Sequence, residues 1–203
     1  MSDNQSYVDL SGRFDSDLFI GAVKGTKSDF LTIWKQSKIL RKLHRLHRKL
    51  GGKDKQDLIL GLARSPLKIS LGYFLARDYM QRRNSIQMRE KWKSRLLSIL
   101  LYLTIRNLLS DNQEIVFIEE GEYDSWIPQI TYEINRFTRP FGINVEIKTE
   151  SKSHPAIVIA DCLCRIARSE HKGEVSFNSI VMRNATVIKN IDLDYYVQRV
   201  FRL

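Results

Sequence analysis

Cysteine, proline and glycine are scarce in this chain, at 2, 4 and 10 of its 203 residues. So little cysteine excludes a disulfide-stapled framework. Cys162 and Cys164 are spaced too tightly for an ordinary disulfide and lack the second pair that a zinc site needs. They read as small helix side chains in a reducing compartment. The polar start Met1-Ser-Asp-Asn-Gln has no signal-peptide pattern, so the expected localisation is cytoplasmic. The shortage of Pro and Gly argues against disorder except at the ends. Long apolar runs are missing too. The most apolar stretch, 96–105, is closed by Arg106. It falls short of the ~20 residues a membrane span requires, so it reads as a buried core helix with no membrane partner. No Gly-x-x-x-x-Gly-Lys-Ser/Thr loop, no Gly-x-Gly-x-x-Gly after a strand and no Gly-x-Ser-x-Gly elbow occurs. P-loop ATPases, dinucleotide enzymes and α/β hydrolases are therefore poor readings.

Acidic residues are in deficit. Lys and Arg total 33 against 23 Asp and Glu, a net charge of +10, and the pI is near 9.7. A thermophilic surface would raise Glu nearly in step with Lys and Arg; here it does not follow. The commonest partner for such a surplus is a phosphate polymer, so nucleic acid is expected. The densest part lies at 35–55. Ile39, Leu43, Leu46 and Leu50 form one helical stripe, and Lys38, Arg41, Arg45, Arg48 and Lys49 fall largely opposite it, with Lys42 in the same run. Such a face can lie along a phosphate backbone without reading sequence. His44 and His47 read as surface residues among these cations. A second cluster, including Arg77, Arg82, Arg83, Arg89, Lys91, Lys93 and Arg95, brackets Trp92. Trp92 is either a stacking platform for a base or a core side chain.

The length suits one large domain. Strands are expected at 6–11 and 17–24, and a helix over 28–50 stopped by Gly51-Gly52. At 67–74 a third strand is expected, with a helix through 58–63 as the alternative. A long helix at 86–109 precedes a buried strand at 115–118. Asp124 or Ser125 is then expected to cap a helix reaching Phe137. A strand at 143–149 leads to a helix from Ser153-His154-Pro155 to about Ser169, with Pro in its first turn. A β-like stretch at 174–182 and a helix from about 192 complete the chain. This order gives a mixed sheet with helices packed on it.

Phosphodiester hydrolysis with bound Mg²⁺ or Mn²⁺ needs a few carboxylates converging from different elements, around ions ~4 Å apart. Asp9 sits inside a β-type run, where Asp is disfavoured; the alternative is a carboxylate bonding the Ser11-Gly12 turn. Glu119 and Glu120 follow directly on an apolar strand, at the end where α/β sheets gather ligands. One of the two is expected to be a solvated turn residue, and Glu122 and Asp124 read as caps. Asp161 lies on the shoulder of a stripe formed by Ala156, Ala160, Leu163 and Ala167. Its alternative reading is an i,i+4 pair with Arg165.

The run Tyr7-Val8-Asp9-Leu10-Ser11-Gly12 resembles the opening strand of a widespread ribonuclease-H-like family, whose members usually begin with a strand reading Asp-Glu-Ser-Gly. Ser153, followed by Ile157-Val158-Ile159-Ala160-Asp161-Cys162-Leu163, is similar to that family's closing signature, an apolar stretch ending in Ala-Asp. Val116-Phe117-Ile118-Glu119 occupies the place of its central strand and carboxylate. The resemblance covers about residues 5–170. It implies a ribonuclease-H-like α/β fold in a single domain, 1–203, with a basic helical insertion at about 28–66 and a C-terminal extension at about 171–203. It also implies a metal-binding triad of Asp9, Glu119 (or Glu120) and Asp161.

One departure bears on function. Where the family has Glu after the first Asp, this chain has Leu10. Two functions follow: a divalent-metal-dependent nuclease, with Lys38, Arg41, Lys42, Arg45, Arg48, Lys49, Arg82 and Arg83 holding the nucleic acid, or a non-catalytic nucleic-acid-binding or assembly protein on the same fold.

Overall fold

The computed structural model describes residues 4–12, 16–40, 52–75, 90–173 and 185–188. Strands β1 (Asn4–Gly12) and β2 (Leu18–Thr26) form an antiparallel hairpin. Helix α1 (Lys27–Gln36) follows without a gap because Thr26 and Asp29 make a capping box. The Thr26 hydroxyl accepts from the Asp29 N–H at 3.2 Å, and the Asp29 carboxylate accepts from the Thr26 N–H at 2.9 Å. Such a cap stabilises a helix start by ~1 kcal/mol. Then come α2 (Gly52–Ala63), β3 (Lys68–Phe74), α3 (Glu90–Ile105), β4 (Gln113–Glu119), α4 (Ile127–Thr138), β5 (Asn144–Glu150), α5 (Pro155–His171) and β6 (Ala185–Ile188).

The strands make one mixed sheet in the order β5-β4-β1-β2-β3-β6. Strands β1, β2 and β3 pair antiparallel; β1–β4, β4–β5 and β3–β6 pair parallel. Period-two alternation divides the core into two layers. Tyr7, Phe19 and Val23 face α1, α2 and α5, while Val8, Leu18, Ile20 and Ala22 face α3 and α4. The central strand β2 is buried from Leu18 to Gly25. Among the described residues no helix is long and apolar enough to cross a membrane.

A buried ion pair ties the layers' edges. Lys24 on β2 reaches past β1 to Glu114 on β4, Nζ to Oε1 2.6 Å, with the two side chains 3% and 1% exposed. Lys24 also donates to the Ser110 hydroxyl, and the same Glu114 oxygen accepts from the N–H groups of Ser110 and Asp111. This fixes the α3–β4 connection and so where β4 begins.

Several expectations are corrected. The helix expected over 28–50 is interrupted at Ser37, which turns extended; residues 38–40 are helical again, and what lies at 41–51 is outside the described residues. Gly52 is the first residue of α2, and the end of the helix expected to stop at Gly51-Gly52 falls outside the described residues. Both alternatives at 58–74 hold: α2 buries Leu58, Ile59 and Leu62, and β3 follows it. The helix after β4 starts at Ile127 behind a 3₁₀ turn, Asp124–Trp126, with no side-chain cap. Asp124 instead accepts from the Gly121 N–H. The chain end read as an extension contributes β6, paired with β3; the stretches 174–182 and 192 onward fall outside the described residues.

Candidate active site

Parallel pairing of β1 with β4 matches Tyr7 with Phe117 and Val8 with Ile118. One step further along both strands stand Asp9 and Glu119, on the face that carries Tyr7 and Phe117. Both lie toward the carboxyl ends of their strands. Asp9 is buried, 4% exposed, and its carboxyl is hydrogen-bonded to that of Glu119. Burial pushes Asp9 well above the usual carboxylate range, and Glu119 and Asp161 push it further. Burial also works to raise Glu119, but its hydrogen bonds with Asp9 and Lys152 outweigh that, and Glu119 is lowered. Asp9 and Glu119 are thus shifted in opposite directions.

Helix α5 brings the third carboxylate. Its start is set by His154, whose Nδ1 accepts from the Ala156 N–H at 3.3 Å, followed by Pro155. The His154 ring stacks on Tyr7 at 4.8 Å, and Tyr7 stacks on Phe117 at 5.0 Å. One turn beyond Asp161, the Cys164 thiol donates to the Asp9 carbonyl at 3.1 Å. These contacts fix the helix over β1 and put the half-buried Asp161 within electrostatic reach of Asp9. Burial raises both thiols, with the charges of Asp9 and Asp161 adding to it, so Cys162 and Cys164 are packing residues, as expected of small helix side chains.

Two cations close the site. Lys152 Nζ lies 2.8 Å from Glu119 Oε1. Arg165 grips Asp161 with Nε at 2.9 Å from Oδ1 and Nη2 at 2.9 Å from Oδ2. Tyr123 is buried beside the cluster, and burial, Glu122 and Asp9 push it up to about 12. Sequence reasoning saw Arg165 only as a pairing partner and missed Lys152 and Tyr123. Lys152 stands in a polar loop, where nothing in the pattern marks one lysine from another.

The donor set fits a hard divalent cation in its chemistry: oxygen ligands only, from carboxyls on neighbouring strands. Among the described residues, no three His, Cys, Asp or Glu side chains are arranged to hold an ion together. Asp161 is turned to its arginine instead. Glu120 is exposed at the rim, its N–H bonded to the Glu150 carbonyl. Leu10 packs with the apolar layer under α3 and α4, so the position after Asp9 supplies no further carboxylate.

Of the expected nucleic-acid contacts, Lys38 is exposed. Arg41, Lys42, Arg45, Arg48, Lys49, Arg82 and Arg83 lie outside the described residues, as do His44, His47 and the Trp92 side chain. Arg95 pairs with the buried Glu133, Nε to Oε1 2.9 Å, and serves the α3–α4 contact. A separate cleft of about 760 Å³ opens at the opposite end of the strands, lined by Gln5, Glu114, Asn135, Arg139 and Asn144 among others.

No protein-family model and no curated protein matches the sequence. Solved structures do match. Ribonuclease H2 from Pyrococcus horikoshii OT3 is 9% identical with a TM-score of 0.56, over 98% of this chain and 87% of that one. A chain of the PCNA:RNase HII complex from Archaeoglobus fulgidus is 14% identical with a TM-score of 0.51, over 98% and 88%. A mutant of Bst-RNase HIII is 16% identical with a TM-score of 0.54, over 82% of this chain and 52% of that one. The six-stranded mixed sheet flanked by helices is a ribonuclease-H-like fold.

Proposed function

We propose that this protein is a divalent-metal-dependent nuclease that hydrolyses nucleic-acid phosphodiesters at Asp9, Glu119 and Asp161. The observation that carries the reading is the buried Asp9 carboxyl, held against Glu119 and within reach of Asp161 at the carboxyl ends of parallel strands. Burying like-charged groups together destabilises a fold, so such a cluster points to chemistry. Asp9 and Glu119 would hold Mg²⁺ or Mn²⁺, Asp161 supplies the third carboxylate, and Glu120 stands one residue away at the rim. A bound ion of this kind lowers the pKa of water and neutralises charge on the phosphate. The chain's own part is to keep Lys152 and Arg165 beside the carboxylates, where phosphate oxygens would arrive.

The fold shared with structures of ribonuclease HII, H2 and HIII supports the reading. So does the net charge of +10, for which a phosphate backbone is the fitting partner. Lys38, Arg41, Lys42, Arg45, Arg48, Lys49, Arg82 and Arg83 are proposed to hold that backbone. The test is cleavage of labelled single- and double-stranded DNA and RNA with Mg²⁺ or Mn²⁺. Activity surviving both Asp9→Asn and Asp161→Asn would overturn the assignment.

A second reading, a non-catalytic nucleic-acid-binding or assembly protein, is favoured by two observations: Asp161 is engaged by Arg165, and Leu10 adds no carboxylate. It predicts salt-sensitive binding, no cleavage with either ion, and little change on neutralising the carboxylates.

A further inference from the structure

Both oxygens of Asp161 are taken by one arginine. The contacts of Arg165 Nε with Oδ1 and Nη2 with Oδ2, each 2.9 Å, make the side-on fork that fixes the plane of a guanidinium. The two residues are one helical turn apart on α5, so the helix itself sets the geometry. Arg165 is 41% exposed and Asp161 31%, so the fork opens to solvent while its remaining N–H groups stay available to another partner. Its charge reaches the carboxylate pair, acting on Glu119 and being acted on by Asp9.

The three carboxylates are therefore unequal. Asp9 and Glu119 stand side by side toward the ends of β1 and β4. Asp161 already has its cation. A divalent ion would have to displace a bidentate charge-assisted pair to use it as a ligand.

Resting on the nuclease reading above, we propose that Arg165 stands in for a second divalent ion: Asp161 holds it in place, and its guanidinium binds the phosphate oxygens of the nucleic acid while a single ion is held by Asp9 and Glu119. Two-ion centres use the second cation to neutralise charge on the departing oxygen. A fixed guanidinium supplies the same charge through directed N–H donors, with no ligand set of its own. Arg165 is then a phosphate-binding residue and Asp161 its positioning residue.

The test titrates Mn²⁺ alone into the full chain by calorimetry and electron paramagnetic resonance, and measures oligonucleotide binding against salt without divalent ions. The wild type is expected to bind one Mn²⁺. Arg165→Ala, which frees Asp161, is expected to admit a second ion or tighten the first by about fivefold. It is also expected to lower the salt slope of oligonucleotide binding by about one. Arg165→Gln carries the same readouts if the alanine variant does not fold. Asp161→Asn is expected to weaken oligonucleotide binding as Arg165→Ala does, and to keep one Mn²⁺ bound. Two ions on the wild type, unchanged Mn²⁺ binding in the arginine variants, or loss of Mn²⁺ from Asp161→Asn each overturn the role of Arg165 and leave the nuclease reading standing. No Mn²⁺ bound to the wild type overturns both.

Discussion

Gly21 lies so close to Ala160 that a Cβ built on the glycine would stand 2.5 Å from the Ala160 carbonyl oxygen. The residue after that carbonyl is Asp161. This contact of a bare strand backbone with a helix is what lets α5 sit low enough on the sheet for Asp161 to reach Asp9.

Gly21→Ala is accordingly expected to push α5 off the sheet. Overpacking of this kind costs about 1–3 kcal/mol, and chemical denaturation should show a lowered midpoint. The variant should also lose activity or ion binding out of proportion to its stability at low temperature. A fully active, equally stable variant would contradict the role given to this contact.

Asp9→Asn should stabilise the protein in the absence of divalent ions while abolishing its activity. Because Asp9 is raised in the folded state, its contribution is fully present below the ordinary carboxyl value near ~4 and is lost as pH rises through the raised value. The gain on mutation should therefore grow from acid toward neutral pH, to about 1–2 kcal/mol at pH ~7. Thermal melts of both proteins in chelator, across pH ~5 to ~8, check it. A gain that shrinks with rising pH would count against the upward shift of Asp9.

Lys24→Met leaves the Glu114 carboxylate buried without its counter-ion, at a cost of about 3–5 kcal/mol. Adding Glu114→Gln should recover part of this, because an amide oxygen still accepts from the Ser110 and Asp111 N–H groups that now bond Glu114. Denaturant titration of the single and double variants completes the cycle. A double variant no more stable than Lys24→Met would show that unpaired charge is not the source of the loss.

The helix cap at His154 should titrate. Burial lowers its pKa, against a smaller opposing effect of Glu150, so the stability it contributes is present above the ordinary histidine value near ~6.5 and lost as pH falls through that value and below it. Only the neutral ring can accept from the Ala156 N–H. His154→Asn, which keeps a capping oxygen, should flatten the stability profile between pH ~7.5 and ~5.5. Equal slopes for the two proteins would remove His154 as the titrating cap.

Periodicity and residue type made much of this protein legible in one dimension. The apolar run Ile115-Val116-Phe117-Ile118 placed β4, and the stripe of Ala156, Ala160, Leu163 and Ala167 placed α5 with Asp161 on its shoulder. An aspartate inside the β-type run around Tyr7 and Val8 marked Asp9, since a strand interior has no local use for one. These signals are local: each depends on neighbours within one turn or one pleat, so composition and spacing suffice.

What decided the site was not local. Which of Glu119 and Glu120 joins Asp9 depends on the register of β1 against β4 and on which face of the sheet each residue takes, because a one-residue step reverses the face. Lys152 reaches Glu119 from a loop, through a strand pairing that no helical or strand period encodes. Asp9 is shifted upward because burial and a second carboxyl coincide in space. The sequence by itself determined the layers and nominated the acidic residues; tertiary packing decided which carboxylates meet and which is held by an arginine.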